Sequence, residues 1–154
     1  MLTLEEKKEI DEEIKLFPYK KAASIEGLKV VQKHRGWVSD ESIDDLAEYL
    51  EMSSEELDNV ATFYNLIFRK PVGRHVILIC DSVSCYIMDY QKILNQLHEL
   101  LGIQYGETTQ DNRFTLLPIP CLGTCDHAPA MMIDDDLHKD LTVEEISNIL
   151  EKYE

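Results

Sequence analysis

The chain has no long apolar run. The longest stretch of its 154 residues free of Lys, Arg, Asp and Glu is Phe114 to Cys125, and Pro118 and Pro120 interrupt it. A bilayer-spanning helix takes about 20 predominantly apolar residues, so none is predicted. The opening residues, Met1-Leu-Thr-Leu-Glu-Glu-Lys-Lys8, lack the apolar core of a secretory signal and the Arg/Ser bias of a transit peptide. Basic charge is also scarce: 15 Lys and Arg stand against 30 Asp and Glu, a formal net charge of −15. Phosphate backbones and anionic lipid surfaces attract basic patches, so nucleic acid and direct membrane binding are excluded as functions. The six glycines form neither G-x-G-x-x-G nor a P-loop, which leaves no recognised loop for NAD or ATP. A soluble, intracellular chain is expected.

The composition changes near residue 72. Before it, apolar residues recur at helical spacing behind capping signals. Thr3 and Glu6 form a capping-box pattern ahead of Leu4, Ile10 and Ile14, and Phe17-Pro18 ends that helix. A second helix is predicted over 20–35, with Ile25, Leu28 and Val31 on one face and Gly36 as its cap. Ser39 precedes a third (Ile43, Leu46, Ala47, Leu50), and Ser53 with Glu56 caps a fourth (Leu57, Val60, Ala61, Tyr64, Ile67). Trp37 and Phe63-Tyr64 are expected to pack these helices together, with an interface role as the alternative. The basic run Lys20, Lys21, Lys29, Lys33 and Arg35 reads first as a solvated helix face and second as a docking patch for an acidic partner.

After Pro71-Val72-Gly73, His75–Cys80 is a continuous β-branched run, the mark of a strand buried on both faces. A helix bearing Ile93, Leu94, Leu97 and Leu101 follows, then a strand at 113–117 and a hairpin joining 130–133 to the region of Leu137. Thr142 with Glu145 is expected to cap a last helix carrying Val143, Ile146, Ile149 and Leu150. The expectation is an N-terminal helical region, residues 1–72, followed by an α/β domain, residues 73–154.

All four cysteines lie in that second part: Cys80, Cys85, Cys121 and Cys125, spaced C-x4-C and C-x3-C. Each pair follows a predicted strand and spans small or turn-forming residues, so two loops leaving one edge of a parallel sheet would bring four thiols together. Disulfides are disfavoured inside a cell, and the absence of C-x-x-C argues against dithiol exchange. Zinc held by four thiolates and an iron–sulfur cluster both remain open; zinc knuckles favour C-x2-C, whereas wider loops suit a larger cluster. His127, two residues after Cys125, matches part of a Rieske pattern without the accompanying Cys-x-x-His, and His34, His75, His98 and His138 form no metal-spaced pair.

Three stretches carry a resemblance: Val60-Ala-Thr-Phe-Tyr64, Cys80-Asp-Ser-Val-Ser-Cys85 and Cys121-Leu-Gly-Thr-Cys-Asp-His-Ala-Pro129. Together with Val31-Gln32 and Gly36-Trp37, they resemble the thioredoxin-like [2Fe-2S] ferredoxin subunits of NADH:quinone oxidoreductase, respiratory complex I, over nearly the whole chain. The resemblance implies an α/β fold, a thioredoxin-like [2Fe-2S] ferredoxin domain preceded by an N-terminal helical bundle. It implies one [2Fe-2S] cluster on Cys80, Cys85, Cys121 and Cys125, with no catalytic side chain. Single electrons would pass to or from the FMN of a neighbouring NADH-oxidising subunit, FMN and NADH being bound there alone. The implied partners are that subunit and an iron–sulfur subunit of the same complex. The implied location is cytoplasmic and peripheral on the inner membrane through the complex, or the matrix side in mitochondria. Related subunits of NAD-linked hydrogenases and formate dehydrogenases are the nearest alternative, a zinc-stabilised interaction module or a free-standing ferredoxin the more distant ones. Gly123 is expected to turn the chain between Cys121 and Cys125, and Pro129 to be cis by analogy with thioredoxin-like folds. Asp89 departs from the family, which usually has glycine there; an inward-pointing carboxylate would lower the cluster's reduction potential.

Overall fold

A computed structural model describes residues 1–154, which divide into two compact units, Met1–Pro71 and Val72–Glu154. The first contains α1 (Leu4–Ile14), α2 (Ser24–Arg35), α3 (Asp40–Tyr49) and α4 (Ser54–Phe63). Capping boxes start α1 at Thr3 and α4 at Ser53, and the Ser39 hydroxyl accepts from the Ser42 N–H at the start of α3. Lys20–Ala23, expected as the first turn of α2, is a separate 3-10 turn. Gly36 caps α2 with φ +81°, a left-handed conformation that glycine adopts without strain.

The core of this unit gathers Ile10, Leu28, Val31, Val38, Ile43, Leu46, Leu50, Leu57 and Ala61. Leu4, grouped with Ile10 and Ile14 as an apolar residue of α1, is 87% exposed and Leu2 is buried, because the buried stripe of α1 runs through Glu6 and Ile10. Helix α4 stops at Phe63, so Tyr64 and Ile67 lie beyond it. The side-chain amide of Gln32 straps the following segment by donating to the Leu66 carbonyl (2.8 Å) and accepting from the Phe68 N–H (2.6 Å). Phe63 does not pack helices together: it is 81% exposed, with Tyr64 edge-on beside it. Every member of the basic run has an acidic partner within the unit: Lys20–Glu51, Lys21–Glu56, Lys29–Glu26, Lys33–Glu9 and Arg35–Glu6. That self-neutralisation supports the solvated-face reading.

The second unit is built on a four-stranded mixed sheet in the order β2-β1-β3-β4, from β1 (His75–Cys80), β2 (Phe114–Ile119), β3 (Met131–Ile133) and β4 (Asp136–His138). Strand β1 is buried from Val76 to Cys80 because it is central, parallel to β2 and antiparallel to β3. Alternation places Ile77 and Ile79, Phe114 and Leu116, and Met131 and Ile133 in one core with α6 (Tyr90–Leu101) and α7 (Val143–Leu150). β2 runs two residues past the predicted 113–117, through Pro118. Proline is tolerated there because β2 is an edge strand: Gly106, Glu107 and Thr109 bond its outer side as far as Leu116, and no donor is needed beyond. Residues 83–87, read as loop, form a short helix, α5 (Val83–Ile87). Thr142 starts α7 without the expected capping box; its hydroxyl donates to the Glu145 carboxylate instead (3.0 Å). The Ala128–Pro129 bond is cis, as expected.

Candidate iron–sulfur site

The parallel pairing of β1 with β2 sets Cys80 opposite Ile119, so both cysteine-bearing segments leave the same edge of the sheet. Cys80 is the last residue of β1, and its N–H donates to the Ala130 carbonyl (3.2 Å). Cys85 lies in α5 and, like Cys80, is buried. Cys121 follows β2 by two residues and Cys125 opens a single 3-10 turn; both are exposed. Their sulfurs are 3.9 Å apart, and the Gly123 N–H donates to Cys121 Sγ (3.3 Å). Gly123 reaches that position with φ +74°, which gives the expected turn its physical reason.

Burial foremost, then a hydrogen bond with Cys80, pushes the Cys85 thiol up to about 11, while the Ala130 N–H pulls the other way by favouring the thiolate. Two cationic irons would reverse that balance, since metal coordination deprotonates a thiol outright. Nowhere do three or more Cys, His, Asp or Glu side chains close on a single point. The thiols fall into two pairs, one per cysteine segment. A binuclear cluster distributes its ligands two to each iron, whereas tetrahedral zinc wants four around one centre. Four thiols in two pairs, Cys80 with Cys85 and Cys121 with Cys125, are a donor set that a [2Fe-2S] unit would fit.

The histidines stand apart from this site. His127 turns Nδ1 to Asp140 (2.8 Å) and Nε2 to Asp126 (3.5 Å). His34 meets Glu9, His75 meets Asp134, His98 the Ile103 carbonyl and His138 the Tyr153 hydroxyl. Asp89 starts α6 with φ +64°, which gives a physical reason for glycine at that position. Its carboxylate points outward, paired with Lys92 (2.7 Å) and 67% exposed, so the condition for lowering the potential is not met. The backbone donors Ala130 and Gly123 complete the thiol environment. Ala130 carries no side-chain signal that could have marked it in advance.

A family model described as thioredoxin-like [2Fe-2S] ferredoxin matches residues 10–154. The chain belongs to that family. It is 51% identical over 152 residues to an NADH-quinone oxidoreductase subunit of Escherichia coli K12, and 48% identical over 153 residues to the like-named protein of Pseudomonas aeruginosa. Each match covers 99% of this chain and 92% of the relative. Among solved structures, an NAD+-reducing [NiFe]-hydrogenase superposes on 81% of this chain with a TM-score of 0.70 and 26% identity. This chain spans only 22% of that hydrogenase chain.

Proposed function

We propose that this protein is the electron-transfer subunit of an NADH:quinone oxidoreductase, with one [2Fe-2S] cluster held by Cys80, Cys85, Cys121 and Cys125. The observation that carries the reading is that the two thiol-bearing segments leave β1 and β2 at the same end of the sheet. When bound, the cluster supplies a site that takes up and releases one electron at a time. The protein's part is position and electrostatics. Cys80 and Cys85 are fixed by a strand end and a helix, and Cys121 and Cys125 by a turn that only Gly123 relaxes. The N–H groups of Gly123 and Ala130 face thiolate charge that the acidic surface would otherwise disfavour.

On this reading the chain contributes to an enzyme through its cluster alone, with no acid, base or nucleophile assigned to its side chains. Its partners are the subunit that binds FMN and NADH and an iron–sulfur subunit of the same complex. The first unit, whose core is independent of the cysteines, clasps them. No helix is long and apolar enough to cross a membrane, and attachment to the inner membrane, on the cytoplasmic side, runs through the other subunits.

The same module in an NAD-linked hydrogenase is the second reading, favoured by the hydrogenase superposition. Near-full-length identity of about half to the quinone-reductase subunits outweighs it. Tagged chain purified from its native cells should bring with it a flavin-containing NADH-oxidising subunit and quinone-reductase activity. Co-purification of a nickel subunit would move the assignment to the hydrogenase. Isolation as a lone chain would end the subunit reading.

A further inference from the structure

We propose that Cys121 and Cys125 capture an incoming [2Fe-2S] unit from a thiolate-ligated donor, and that the buried Cys80 and Cys85 close on it second. The inference rests on the ligand assignment above and adds an order to it. Ligand exchange at iron requires the arriving sulfur to reach the metal while the donor's thiolates still hold it. Cys80 and Cys85 are 3% and 2% exposed, and a donor cannot bring its iron to them first. They are also tethered: Cys80 is in the ladder and bonded through its N–H to Ala130, and Cys85 is built into α5. Cys121 and Cys125 face solvent on the irregular segment between β2 and β3, with sulfurs 3.9 Å apart, so both can reach one iron together.

Each exchange balances without a redox partner. The cysteine sulfur forms its bond to iron, a donor thiolate leaves, and the cysteine's thiol proton ends on that departing thiolate. Two such exchanges free one iron from the donor. Two more, at Cys80 and Cys85, draw the other inward and release the donor as thiol.

The test uses the full chain stripped of metal and, as probe, a [2Fe-2S] complex ligated by glutathione, followed by native mass spectrometry and visible circular dichroism. The Cys80→Ser/Cys85→Ser chain should trap an adduct holding two irons, two sulfides and two glutathiones. The Cys121→Ser/Cys125→Ser chain should trap none. In the wild-type chain, brief alkylation confined to Cys121 and Cys125 should abolish capture, which covers the case of a variant that misfolds. Capture by the Cys121→Ser/Cys125→Ser chain, equal capture by both variants, or capture surviving that alkylation would overturn the order. A wild-type chain that acquires a cluster neither from the probe nor from ferrous iron with sulfide would remove the ligand assignment itself.

Discussion

Glu6 is 1% exposed and still charged, and its replacement by glutamine gives a sharp test of what holds the helical unit together. One carboxylate oxygen accepts from Arg35 Nε (2.6 Å); the other accepts from Arg35 Nη2 (2.8 Å) and the Thr3 N–H (2.7 Å). The contact ties the start of α1 to the end of α2. The Arg35 hydrogen bond, aided by Thr3, outweighs burial and lowers the Glu6 carboxyl from its ordinary 4.5 to about 2. A displacement of that size is worth about 3 kcal/mol at neutral pH. Because the folded-state value is lowered, the contribution is fully present above the unfolded value and is lost as pH falls through the folded one. Glu6→Gln removes the charge at every pH and takes from the Arg35 guanidinium its hydrogen-bonded counter-ion, leaving only the weaker pull of Asp45. Urea unfolding of the full chain, followed by fluorescence of Trp37, the single tryptophan, reports on this unit. The gap between wild type and Glu6→Gln should be about 3 kcal/mol at pH 7 and close between about pH 5 and 2. A gap below about 1 kcal/mol, the scale of an exposed pair, would refute the reasoning. So would one that does not change with pH.

Three further outcomes are expected. Asp89→Gly should stabilise the second unit by up to about 1 kcal/mol by relieving the left-handed backbone, since the exposed Lys92 pair contributes little; cluster potentiometry should find the midpoint unchanged. Gly73→Ala would set a Cβ 3.0 Å from backbone atoms of Arg113 and Phe114, and denaturation should register a loss of about 1–3 kcal/mol as β2 yields. Deleting residues 1–71 should leave a chain that still binds the cluster around the core of the second unit, yet fails to co-purify with the partner subunits. Normal assembly of the truncated chain would contradict the clasping role.

The order of elements was legible wherever a local signal sufficed. Strand β1 runs over the predicted residues because a β-branched run with no break can only be buried, and the capping boxes at Thr3 and Ser53 place two helix starts. Failures arose where tertiary context decides. Leu4 lies six residues from Ile10, about 120° away around a helix of about 3.6 residues per turn, so it faces solvent while the buried stripe holds Glu6 against Arg35. β2 continues past the predicted residue 117 through Pro118, and only its edge position makes the proline harmless. Asp81-Ser-Val-Ser84 is made of small or turn-forming residues, which hid the short helix that holds Cys85. At the site, the spacing of the cysteines left zinc and iron–sulfur open. The division into one buried and one exposed pair appears only when β1 and β2 are aligned in parallel, and Ala130 acts through its backbone N–H, which its methyl side chain does nothing to announce.

On this reading four thiolates, those of Cys80, Cys85, Cys121 and Cys125, hold a one-electron centre. The most direct measurement is anaerobic purification of the chain, with iron, acid-labile sulfide and zinc counted and EPR spectra taken before and after dithionite. Two irons and two sulfides per chain, EPR-silent until reduction, are predicted, and both should be lost when any of Cys80, Cys85, Cys121 or Cys125 becomes serine. Zinc alone, with no labile sulfide even after anaerobic reconstitution, would contradict the account and leave a structural metal module in its place.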